Sequence, residues 1–109
     1  MRWEIVIGLC AAAAMPLAHA QSVDAGGAEA LLKKSGCMKC HSVSAKKEGP
    51  PFKETAAKYK GKPDAQTALF KHLTTNPKIK VDGKEELHDA LKTKNEGEIQ
   101  NVIAYILSR

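Results

Sequence analysis

The sequence is short of most things a small domain uses to hold itself together. Aromatic residues make up 5% of its 109 positions, and cysteine and methionine occur three times each. Internal repeats, low-complexity tracts and a visible alternating strand pattern are all missing, so the reading is all-α. The length suits one small domain and excludes most two-domain enzymes. A second constellation of titratable residues is also missing, which argues against an enzyme acting alone.

The first twenty residues account for part of the apolar content and are read separately. Arg2 precedes an unbroken apolar run from Ile5 to Leu17, and Ala18-His19-Ala20 supplies the small-x-small pattern of a signal-peptidase site. The run is too short for a comfortable membrane span. Leu9 stands before Cys10 where a lipoprotein needs a small residue. The expectation is a cleaved signal peptide at 1–20, a single domain at 21–109, export to the periplasm and no membrane anchor. Export also argues against a nucleic-acid partner despite the basic charge.

After Gln21, 16 Lys and Arg stand against 11 Asp and Glu, so the net charge stays at +5. Leu, Ile, Val and Phe number only 17 among these 89 residues, close to a disordered composition. A chain so small and so poor in large apolar groups needs a staple. The two remaining cysteines, Cys37 and Cys40, lie too close together to close a useful disulfide loop. Something else must complete the core.

Cys37-Met38-Lys39-Cys40-His41 is the C-x-x-C-H pattern of covalent haem c attachment. Thiols at that spacing can reach the two vinyl groups on one edge of the macrocycle, and the adjacent imidazole reaches the iron. The alternatives are a thioredoxin-like redox pair, which wants a preceding strand, and half of a zinc site, which wants a second ligand pair. Neither companion is visible. One covalently bound haem c would also replace the missing aromatic bulk.

From these residues outward the chain resembles the small bacterial class I cytochromes c over nearly all of its length after residue 20. Glu29 to Gly36 looks like the family's N-terminal helix, Gly49-Pro50-Pro51-Phe52 follows at its usual distance, and Val102 to Leu107 looks like its C-terminal helix. The resemblance implies that the Pro50 carbonyl holds the far nitrogen of His41, and that a basic residue at His72 contacts a haem propionate. The residues themselves support about four helices around one haem. Asp24 caps a first helix that ends at Gly36, Phe52 to Tyr59 forms a second, and Pro63-Asp64 opens a third with Ala68, Leu69, Phe70 and Leu73 inward. Asn76-Pro77 stops that helix. Asn95 with Glu98 starts the last, whose Ile99, Val102, Ile103 and Ile106 form one apolar stripe.

The departure from the family is the missing methionine. Class I cytochromes usually place one across the iron, but Met1 and Met15 leave with the signal peptide and Met38 sits inside the attachment loop. In the nineteen-residue stretch from Asn76 to Lys94, Lys84 to Leu91 reads as about two helical turns, with Leu87 and Leu91 facing the ring. His88 falls within about one residue of the family's methionine. Four arrangements stay open: His88 as sixth ligand, a five-coordinate iron, His72 as ligand, or a lysine such as Lys80 or Lys84.

Lys39, Lys46 and Lys47 flank the attachment loop, where a positive rim would steer an acidic redox partner. A solvated, solubilising surface explains the fifteen lysines equally well. The expected function is a periplasmic monohaem carrier of single electrons between redox proteins, at low potential, with an oligomeric state the residues leave open. The competing reading is a protein that binds or senses a diatomic gas at an open or displaceable distal site.

Overall fold

The structure, a computed structural model, describes residue 11 and residues 22–109. The expected signal peptide therefore lies outside the described residues, apart from Ala11. Helix α1 spans Ala25–Lys34. It starts where the Asp24 carboxylate accepts the Gly27 N–H at 3.0 Å, satisfying one of the amides a helix start leaves open. Gly36 at φ +76° turns the chain out of it, a left-handed position that suits glycine. Helix α2 is Phe52–Tyr59, α3 is Ala65–Thr74 and α4 is Glu96–Leu107. The Asn95 side chain caps α4 by accepting the Glu98 N–H at 3.0 Å.

Helix α4 is the spine of the molecule, and α1, α2 and α3 all pack on it. Its apolar stripe buries Ile99, Val102, Ile103 and Ile106, together with Tyr105. Facing them are Ala28, Leu31 and Leu32 of α1, Phe52 of α2, and Leu69 and Leu73 of α3. Each large side chain so buried contributes about 1.5–3 kcal/mol before chain entropy is counted. Ala68 and Phe70, expected inward, are only half-buried. Polar ties fix how α1 crosses α4. Asp24 N–H donates to Asn101 Oδ1 at 2.9 Å, Asn101 Nδ2 returns a bond to Asp24 O at 2.8 Å, and the Tyr105 hydroxyl donates to Glu29 at 3.0 Å.

The expectation of helical turns at Lys84–Leu91 is overturned. Strand β1, Lys78–Val81, pairs antiparallel with β2, Lys84–Leu87, in the register Lys78↔Leu87 to Val81↔Lys84. The reason is the turn between them. Asp82 and Gly83 take φ of +50° and +79°, the two positive values that a tight two-residue hairpin turn requires and that Asp-Gly supplies readily. Lys78-Ile79-Lys80-Val81 alternates at period two, and Ile79 and Val81 are the half-buried positions. Leu87, expected inward, is 64% exposed, whereas Leu91 is buried in the core. Among the described residues, the hairpin is a small addition to an all-α fold of four α-helices.

Candidate functional site

The attachment segment folds on itself. Past Gly36, Cys37–Lys39 forms one 3-10 turn, and the His41 N–H donates to Cys37 O at 3.0 Å. Gly49 N–H donates to Cys40 O at 2.7 Å, Phe52 N–H to Ser42 O at 2.9 Å and Lys53 N–H to Val43 O at 3.1 Å, drawing residues 40–53 into a closed loop. At its centre His41 Nδ1–H donates to Pro50 O at 2.8 Å. That bond fixes the tautomer and leaves Nε2 as the free acceptor nitrogen, as metal-binding imidazoles require. Phe52 stacks on the ring at 5.5 Å between centroids, 20° from parallel.

Gly49 forms the floor beneath this imidazole. A Cβ there would lie 2.5 Å from His41 Cε1, 2.8 Å from Nδ1 and 3.0 Å from Cys40 O. Only glycine lets the chain pass so close to the ring. Its place before Pro50 was visible in the sequence, but its steric role was not.

Cys37 and Cys40 form no disulfide. Burial pushes both up in pKa. At Cys37, Asp89 and Cys40 add to the effect; at Cys40, a hydrogen bond to Glu48 at 3.4 Å and the charges of Glu48, Glu86 and Asp89 do so. Burial thus favours the protonated thiol at both positions. Lys47 donates to Met38 O at 2.9 Å, while Lys39 and Lys46 are exposed. The rim around the cysteines thus carries both signs.

Across from His41 stand two more imidazoles. The His88 ring lies 6.1 Å from that of His41, tilted by 58°, and the His72 ring lies 4.1 Å from that of His88. Both are half-buried, and both have their pKa lowered, first by burial and then by neighbouring imidazoles. His88 Nδ1 is buried with no hydrogen-bond partner. An unpaired buried polar atom costs roughly 1–3 kcal/mol, so it calls for an explanation such as a bound group.

A thiol pair at haem-edge spacing, an imidazole locked with one nitrogen free and a second imidazole opposite it now stand in one place. Residues 25–109 match the model of the family described as Cytochrome c. The chain belongs to the cytochrome c family. Among solved structures it is similar to the class 1 cytochrome MtoD from Sideroxydans lithotrophicus ES-1, at a TM-score of 0.76 and 40% identity, covering 80% of this chain and 97% of that one. It is 43% identical over 63 residues to cytochrome c-552 of Nitrosomonas europaea, covering 58% of this chain and 57% of that protein. It is 37% identical over 54 residues to cytochrome c-551 of Pseudomonas aeruginosa, covering 50% of this chain and 52% of that protein. The chain spans about half the length of the curated relatives it matches.

Membership of the family carries with it one covalently bound haem c and its iron. The residues on the page fit that group. Two thiols sit beside a histidine whose Nδ1 is engaged, and the buried nitrogen opposite has no partner of its own. Among the described residues, no helix is long and apolar enough to cross a membrane.

Proposed function

We propose that the protein is a periplasmic carrier of single electrons between larger redox proteins. In this reading Cys37 and Cys40 would hold the haem by thioethers, and His41 and His88 would bind its iron. The haem supplies a one-electron iron couple when bound, and the chain supplies ligation, burial and charge. Pro50 O keeps His41 oriented through its Nδ1–H, and Phe52 packs against the ring. Leu91, buried three residues beyond His88, helps to keep water from the far side.

The observation that carries the ligand assignment is the 6.1 Å between the His41 and His88 rings. That separation leaves room for one metal ion between the two imidazoles at metal–nitrogen distances of roughly 2 Å. His72 packs against His88, so its place is beside the second ligand, where a propionate contact remains its proposed role. Two imidazole ligands and the nearby carboxylates of Glu48, Glu86 and Asp89 all favour ferric iron, which supports a potential below that of a His/Met cytochrome. The mixed charge of the rim leaves a partner with an acidic patch able to meet Lys39 and Lys46 while avoiding Glu48.

His88→Ala should convert low-spin ferric iron to high-spin and let carbon monoxide bind the ferrous form at once, whereas His72→Ala should leave the spin state unchanged. A wild-type protein that is already high-spin and takes up gas freely would replace this reading with gas binding or sensing.

A further inference from the structure

We infer that Asn76 is a positioning residue that sets where His88 sits, an inference that rests on the reading of His88 as an iron ligand. His88 follows directly on the hairpin, and no hydrogen bond holds its ring at Nδ1. Its backbone is held instead, at both polar groups, by one corner of the chain. Asn76 Nδ2 donates to His88 O at 3.0 Å, and the His88 N–H donates to Pro77 O at 2.8 Å. The corner exists because Asn76 adopts φ +51°, a left-handed conformation that Asn tolerates better than most residues bearing a side chain.

The geometry makes this corner a clamp. Lys78↔Leu87 is the outermost pair of the hairpin, so residues 76 and 77 are brought back to residue 88 after ten residues of β1, turn and β2. Asn76 also ends the stretch that leaves α3, the helix carrying His72 against the His88 ring. One end of the clamp is therefore tied to the helix core. Asn76 itself is exposed, so its amide adds no apolar burial to that core. Its bond acts on the site and very little on the fold.

The test uses the full holoprotein with Asn76→Gly and Asn76→Asp. Glycine keeps the left-handed backbone and removes the donor; aspartate keeps the shape and turns an acceptor toward His88 O. Losing one hydrogen bond of ordinary strength should raise the fraction of His88 that is off the iron, and with it the rate of carbon monoxide binding to the ferrous protein, by roughly fivefold in Asn76→Gly. Asn76→Asp should exceed that, and both should shift the reduction potential while melting close to wild type. Asn101→Ala, which breaks the tie between the N-terminus of α1 and α4, serves as a destabilised control away from the site. Wild-type binding rates in both Asn76 variants overturn the inference. So does an acceleration no greater than that of Asn101→Ala at equal loss of thermal stability. If His88→Ala leaves spin state and gas binding unchanged, the ligand reading itself fails, and the inference fails with it.

Discussion

The two sides of the site are built on different principles. The His41 side is closed by bonds between residues 9 or 10 positions apart: Gly49 to Cys40, Pro50 to His41, Phe52 to Ser42 and Lys53 to Val43. The His88 side is held across the fold. Leu91 N–H donates to Leu73 O on α3 at 3.0 Å, and Lys92 N–H donates to the Ser35 hydroxyl at the end of α1 at 2.9 Å, 57 residues away. One imidazole is thus placed wholly by its own loop, and the other by a hairpin corner at Asn76 and Pro77 whose two ends are anchored on the assembled helices. Short loops cost less entropy to close, so the first arrangement is the more robust and the second the more easily loosened.

Breaking the local side should do the greatest damage. Gly49→Ala forces a Cβ into the His41 ring and the Cys40 carbonyl. Overpacking of this kind costs about 1–3 kcal/mol, and here part of it falls on the proposed ligand His41. We expect a lower melting temperature together with an altered ferric spectrum; a variant that melts and absorbs as wild type would show that the loop gives way more easily than its short bonds imply.

Ser35→Ala sharpens the contrast from the other side. Ser35 is 3% exposed, and the change leaves the Lys92 N–H without its partner at a cost of about 1–2 kcal/mol. Carbon monoxide should then bind faster, while the ring protons of His41 keep their wild-type shifts by NMR. Equal disturbance at both histidines would erase the distinction between the two sides.

The smallest effect concerns the tie between α1 and α4. Burial, and then the hydrogen bond to Glu29, push the Tyr105 hydroxyl above its ordinary pKa of 10.0. The unfolded chain therefore releases this proton first, so the stability is fully present below pH 10.0 and is lost as pH climbs from there through the folded value. Tyr105→Phe should melt a few degrees below wild type at neutral pH, by about 1 kcal/mol, with the gap closing in alkali. A gap that is constant with pH would mean that the hydroxyl is not held by Glu29.

The same contrast explains what could be read from the residues. Helix α2, with its bounds at Phe52 and Tyr59, the Asp24 and Asn95 caps and the turn at Gly36 were all legible, because each is decided by neighbours within a few positions. The His41–Pro50 pairing was legible through family resemblance, and it too is local. The hairpin was misread although Asp82-Gly83 is a strong local turn signal. Lys84-Glu85-Glu86-Leu87 has the composition of a helix, and the turn chemistry beside it outweighed that propensity. The Ser35–Lys92 bond and the Asp89 carboxylate near Cys40 join residues that only the tertiary fold brings together. The Asn76 clamp follows from the register of the misread hairpin and was missed with it.

The account turns on what stands on either side of the iron, and X-ray absorption at the iron edge of the ferric wild-type protein reads that most directly. We expect a first shell made only of nitrogen, with the outer-shell scattering of two imidazoles and no sulfur. A five-coordinate iron with the scattering of one imidazole would contradict it, as would a second imidazole signal that survives in His88→Ala.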